Sequence, residues 1–145
     1  MTENYEFVRN SVLPSLLETE SVSAHAVYPH ATFEIGKVTL RDESDNQGSV
    51  TRNHLGFLES DGNVGLNEVS ARVQAVFFYL NLEFDPAEVD DSRFIAGRCA
   101  AIIVEGEQVG VYGEMHPQVL TNWGIQMPCS ACEINLDALL AAKDK

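Results

Sequence analysis

Cys99-Ala-Ala-Ile-Ile-Val104, Glu105-Gly-Glu107 and Gln108-Val-Gly-Val-Tyr-Gly-Glu-Met115 follow one another directly and carry the plainest signal of fold class in the chain. The first part is a continuous apolar run, as in a central strand covered on both sides. The Glu105–Glu107 turn leads into a second strand-like run, so the two form a β-hairpin. His116-Pro117 then opens a short helix, with Pro117 at its first position and Gly124 just past its end.

Working outward, Cys129 to Leu136 reads as another strand and Asp137 to Ala142 as a terminal helix. Upstream, the strongest helix runs from about Leu66 to Leu80. Leu66, Val69, Val73, Val76, Phe77 and Leu80 form its apolar stripe, with Glu68 and Arg72 paired at i,i+4 on another face. The first helix begins near Ser11, which can cap it, with Pro14 in its first turn. Leu13, Leu16, Leu17 and Glu20 follow at helical spacing; the helix fades around Val22 to Ala26, and Pro29 stops it. Ala31 to Leu40 and Arg52 to Ser60 read as strands, the former half-buried through Phe33, Ile35 and Val38. The polar stretches Arg41–Ser49 and Asp85–Arg93 read as surface loops. Helices interspersed with hairpin-type strands define an α+β domain, an antiparallel sheet flanked by helices. Neither loop has linker character, so residues 1–145 read as a single domain.

Nine basic residues face 22 acidic ones across 145, a formal net charge of -13. Arg9, Lys37, Arg41, Arg52, Arg72, Arg93 and Arg98 are scattered singly, so direct nucleic-acid binding by this chain alone is disfavoured. The longest apolar runs fall far short of the roughly 20 residues of a membrane span. The acidic, polar N-terminus lacks signal-peptide character, and three cysteines, an odd number, argue against a disulfide framework. A cytoplasmic protein is therefore expected.

Four histidines (His25, His30, His54, His116) and three cysteines (Cys99, Cys129, Cys132) are the candidate metal ligands. The Cys129-x-x-Cys132 pair lacks a second close-spaced pair. In a strand its members face opposite sides, so core or edge cysteines are the better reading and no metal site is assigned. A redox pair would sit at a helix N-terminus, which Pro128 and Glu133-Ile134-Asn135 do not suggest. No nucleophile elbow or phosphate-binding loop is present, and Gly106, Gly110 and Gly113 read as turn and strand glycines. Adjacent carboxylates such as Asp90-Asp91 read as solvated surface.

Five segments together resemble the C-terminal, catalytic-core-like module of the phenylalanyl-tRNA synthetase beta subunit, most closely the archaeal/eukaryotic type. They are Tyr5 to Glu18 (YEFVRNSVLPSLLE), Phe33-Glu-Ile-Gly36, Asn67-Glu-Val69, Arg93-Phe-Ile-Ala-Gly-Arg98 and Val109 to Leu120 (VGVYGEMHPQVL), in the family's order over nearly the whole chain. The resemblance implies a class II synthetase fold, catalytic-core-like, in a piece of a longer beta subunit. It also implies a structural role beside the catalytic alpha subunit, in a heterotetramer. The segment Arg9–Glu18 matches the family's interface helix, so Arg9, Ser11, Leu13, Leu16, Leu17 and Glu18 are expected at the subunit interface. The three leucines are its apolar anchors. Gly97, Arg98, Gly113, Glu114, His116 and Pro117 carry the structural motif.

Class II chemistry requires one arginine on the α-phosphate and a second, from a Gly-rich strand–helix element, on the γ-phosphate. The segment Gly110–Gly124 contains no arginine or lysine, and Glu114 would repel a triphosphate. Arg52 alone could stand in the first place. No catalytic residue and no cofactor is therefore assigned to this chain. ATP and Mg belong to the holoenzyme by resemblance. The exposed interface helix also implies self-association of the isolated domain. The alternative is a stand-alone paralogue, a small-ligand-binding protein or enzyme on the same fold.

Overall fold

The computed structural model describes residues 8–144, so Tyr5, Glu6 and Phe7 of the first resembling segment lie outside the described residues. In chain order the elements are α1 (Leu13–Ser21), β1 (His30–Arg41), β2 (Ser49–Ser60), α2 (Leu66–Leu80), β3 (Asp85–Ala87), β4 (Phe94–Val104), β5 (Glu107–Met115), α3 (Pro117–Asn122), β6 (Cys129–Asn135) and α4 (Leu136–Lys143). The strands make one sheet in the order β1-β2-β6-β5-β4-β3, and every neighbouring pair is antiparallel. The domain is α+β, with helices on both faces of that sheet.

The two faces bury separate clusters. On one, Leu13, Leu16 and Leu17 of α1 pack with Leu58, Val111, Ala131 and Cys129, closed off by Leu120 and Ile125 around α3. On the other, Val69, Val73 and Phe77 of α2 and Leu139 of α4 pack on Tyr112, Cys132 and Ile134. Burial of each large side chain contributes roughly 1.5–3 kcal/mol, so the leucine face of α1 is committed to the core.

The hairpin expected at residues 99–115 forms as β4 and β5, with Glu105 and Gly106 both at positive φ in the turn. The strand covered on both sides, however, is β6, buried from Cys129 through Ile134. The run Cys99–Val104 lies one strand in from the β3 edge and is only partly enclosed, because β3 contributes just three paired residues.

In β1 the inward side is the opposite of the one expected from Phe33 and Ile35, and only Val38 of the three is enclosed. Val38 is buried and Thr32, Glu34 and Gly36 are half-buried, while Phe33 is 73% and Ile35 60% exposed. Strict alternation fixes which residues share a face but not which face is covered. Here α1 lies over the Thr32–Val38 side, and no helix among the described residues covers the other.

The first helix ends at Ser21, and its N-cap is Val12 rather than Ser11. The Ser11 hydroxyl still accepts the Leu13 N–H at 3.2 Å, so it satisfies one open helix-start donor from outside the cap position. The sheet's edges differ: β3 is three residues long and contains Pro86, whereas β1 runs for twelve.

Candidate functional site

The first resembling segment meets the fourth beside a buried carboxylate that the sequence reading passed over. Glu133 of β6 is 5% exposed on the α1 face. One of its oxygens accepts from the Ser11 hydroxyl; the other accepts from His54 Nδ1 at 2.5 Å and from the Val12 N–H at 3.4 Å. Arg93 Nη1 stands 3.5 Å from Glu133 and 3.4 Å from the Ser11 hydroxyl. Burial pushes the Glu133 carboxyl up. The hydrogen bonds from His54 and Ser11, with the charges of His54 and Arg93, outweigh this and hold it below the usual glutamate value.

Arg93 is itself fixed by Asp91, which accepts from Nε at 3.0 Å and Nη2 at 2.7 Å. The bidentate pairing holds Asp91 below its ordinary range. A carboxylate surrounded in this way is a clamp rather than a proton carrier. It fastens the start of α1 to the middle of the sheet.

The string Arg93–Arg98 departs from regular pairing. Phe94 pairs with Met115 and Cys99 with Gly113, so residues 95–98 stand opposite Glu114 alone. This bulge requires Gly97 at φ 78 and brings Arg98 Nη1 to 3.1 Å from Glu114. The strand end is tied by the His116 N–H, which donates to the Arg93 carbonyl at 2.8 Å. His116 is also the N-cap of α3, its Nδ1 accepting from the Gln118 N–H, with Pro117 as the first helical residue. Gly97, Arg98, Glu114, His116 and Pro117 thus form one corner, where the hairpin feeds α3.

Arg9, half-buried, lies along β1: Nε donates to the Lys37 carbonyl at 2.9 Å, and Nη1 to Glu34 at 2.7 Å and to the Ser15 hydroxyl at 3.1 Å. Gly36 leaves the space that its guanidinium fills. Glu18 is on the exposed side of α1. Leu13, Leu16 and Leu17 are 1%, 4% and 3% exposed inside the chain's own core, which corrects their assignment as apolar interface anchors. A helix laid against its own sheet turns its leucine stripe inward and leaves Pro14, Glu18 and Thr19 outside.

The apolar surface that does face out belongs to β1. Phe33 and Tyr79 flank a groove of about 650 Å³ between the β1–β2 pair and α2, walled by Leu55, Phe57, Val76 and Leu136. The signal for it was present in the sequence, since Phe33 and Ile35 are large apolar residues in a strand whose other side could equally be buried.

Cys129 and Cys132 fall in opposite core clusters. Burial raises the Cys129 thiol to about 11 and the Cys132 thiol well above its usual value. Arg52, the one arginine considered for phosphate, donates to its neighbour's carbonyl at Thr51, while Arg93 and Arg98 are engaged by carboxylates.

The description "Phenylalanyl tRNA synthetase beta chain CLM domain" matches residues 1–136. Among known proteins, the chain is 47% identical over 140 residues to the phenylalanine–tRNA ligase beta subunit of Treponema pallidum subsp. pallidum, covering 97% of this chain and 23% of that protein. It is 45% identical over 141 residues to a beta subunit from Borreliella burgdorferi and 44% over 140 residues to that from Borrelia hermsii. Each of these two matches covers 97% of this chain and 25% of the relative. These relatives are bacterial. The chain spans about a quarter of the length of the relatives it matches. These matches assign the chain to the family of phenylalanyl-tRNA synthetase beta chain CLM domains.

Proposed function

We propose that this domain is the non-catalytic, class II core-like module of a phenylalanine–tRNA ligase beta subunit and docks the alpha subunit within a heterotetramer. The observation that carries the non-catalytic reading is the state of its cations. A triphosphate cradle needs arginines with free forks. Here Arg93 and Arg98 are engaged by Asp91 and Glu114, and Gly110–Gly124 supplies none. ATP and Mg therefore do not fit this chain, and their chemistry stays with the alpha subunit.

The docking surface in this reading is moved from the leucines of α1 to its polar outer side and the adjoining strand β1. Arg9 and Glu18 remain contact residues, Ser11 positions the helix start, and Phe33 and Ile35 replace the leucines as anchors. The same strand accounts for self-association of the isolated domain. A cytoplasmic location is part of the proposal and agrees with three free cysteines. So is the archaeal/eukaryotic type of the subunit, which rests on the five segments. A phylogeny of the domain that groups it away from that type removes this last point.

Sedimentation of the chain with its cognate alpha subunit tests the docking. A complex at micromolar concentration is expected. Two independent species at that concentration would count decisively against the proposal. Calorimetric titration with ATP and phenylalanine tests the other half: heat of binding to the isolated chain contradicts a module without a nucleotide cradle.

A further inference from the structure

The connection between α1 and β1, residues 22–29, returns the chain from the helix to the edge strand. At its far end sits His30, whose imidazole is enclosed by acceptors. Nδ1 lies 2.9 and 3.0 Å from the two carboxylate oxygens of Glu20, and Nε2 lies 3.2 Å from the Ala26 carbonyl. Glu20 is at the end of α1 and its side chain is 2% exposed, with His30 as its ion-pair partner. A neutral imidazole has a hydrogen on one nitrogen only, so one of these two contacts would set a lone pair against an oxygen. The imidazolium donates to both.

We propose that His30 and Glu20 form a proton-controlled clasp that pins the α1–β1 connection when His30 is charged and releases it when His30 loses its proton. Protonated, the ring joins the end of α1 to Ala26 and to the first residue of β1. Deprotonated, it keeps at most one of the two bonds, and Glu20 remains buried without a counter-charge. The Tyr28 ring stacks on the imidazole at 4.0 Å, which holds its plane as the proton comes and goes. Among the described residues, no other charge competes from the neighbouring strands. Behind Glu20, the Cys129 thiol of β6 is raised to about 11 by burial and stays neutral, and Ser60 of β2, the register partner of His30, is uncharged. The hydrogen bond that His30 donates to Glu20 accordingly raises the proton affinity of His30 above the usual histidine value of 6.5.

A folded-state value above the unfolded one places the stabilisation at low pH. It is fully present below about 6.5 and is lost as the pH rises through the folded value. The released segment contains Val22 and Val27, which are 70% and 90% exposed, so few apolar contacts resist its opening.

The test is an NMR titration of the 145-residue chain that follows the His30 ring and the backbone amides of residues 22–28. His30 is expected to titrate at higher pH than in the same chain unfolded in urea. Amide protection factors in the segment, corrected for intrinsic exchange, should fall severalfold across that same titration. Glu20→Gln should bring the His30 midpoint back to the unfolded value and leave the protection factors flat. If that variant does not fold, His30→Gln supplies the same flat profile. A wild-type His30 midpoint at or below the unfolded one overturns the clasp, as does an unchanged segment while His30 titrates.

Discussion

Gly113 of β5 lies directly beneath Cys99 of β4, with no room for a side chain between them. A Cβ on Gly113 would stand 2.5 Å from the Cys99 Cβ, 2.6 Å from the Arg98 carbonyl oxygen and 2.7 Å from the Cys99 Cα. Two of these three atoms are main chain, at the point where the bulge rejoins the ladder. Gly36 is also crowded, but there the obstacle is the tip of the flexible Arg9 side chain.

These two glycines predict opposite responses to the same substitution. Gly113→Ala should cost at least about 2 kcal/mol, because the strands must part to admit the methyl group. Gly36→Ala should cost under about 1 kcal/mol, since Arg9 can swing into solvent. Urea unfolding of both variants measures the contrast, and equal midpoints would contradict it.

Glu133→Ala leaves the His54 Nδ1–H, the Ser11 hydroxyl and the Val12 N–H without their acceptor, and removes the second carboxylate beside Arg93, which keeps Asp91. A loss of about 3–5 kcal/mol is expected, as for other broken buried ion pairs. Because the folded carboxyl is held below its ordinary value of 4.5, its contribution is complete above that pH and is lost as the pH falls through the folded value. Asp91 adds to the same acid limb through its pairing with Arg93. Thermal melts between about pH 2.5 and 6 should therefore show a shallower acid slope for Glu133→Gln than for the wild type.

Core and contact roles separate on β1 and α1. Leu16→Ala opens a cavity under α1 and should cost about 2–5 kcal/mol, with no change in the affinity of the folded fraction for the alpha subunit. Phe33→Ser with Ile35→Ser removes exposed apolar surface, so stability should stay within about 1 kcal/mol while the affinity falls at least tenfold. Paired melting curves and sedimentation titrations read both quantities. An affinity loss confined to Leu16→Ala would return the docking role to the leucines.

Thiol labelling should be ordered by enclosure. Burial raises all three thiols, Cys129 to about 11 and Cys132 well above its usual value, but Cys99 is only half-buried whereas the other two are buried. A slow aromatic disulfide reagent at about pH 7.5 should modify Cys99 first, with the other two reacting only on unfolding. Mass spectrometry of the partially labelled chain identifies the site.

Much of the architecture was legible because local signals agreed. The Glu105-Gly106 turn, the Val69–Val73–Phe77 stripe and the Pro117 helix start each admit one reading, and each appears in the fold. What escaped was information that no local window holds. Alternation in β1 groups Phe33 with Ile35 but cannot say which face α1 will cover, so the buried and exposed sides were exchanged. The leucines of α1 were legible as a buried face, yet their partner proved to be the chain's own sheet. Glu133 lies between Cys132 and Ile134, and a carboxylate in so apolar a strand was the clue to its clamp. Its donors Ser11, Val12 and His54 come from 79 to 122 residues away, which spacing alone could not reveal.

The unequal borders of the sheet set the stoichiometry open to it. At one margin, Asp85–Ala87 is too short to template another strand and Pro86 has no amide hydrogen to offer. At the other, His30–Arg41 is long and among the described residues no strand lies along the outer side of its first half, while the Arg9 carbonyl already takes the Thr39 N–H farther on. A ribbon that can be extended from a single side accepts one neighbour and then stops. Its geometry favours a closed pair and disfavours a growing fibre.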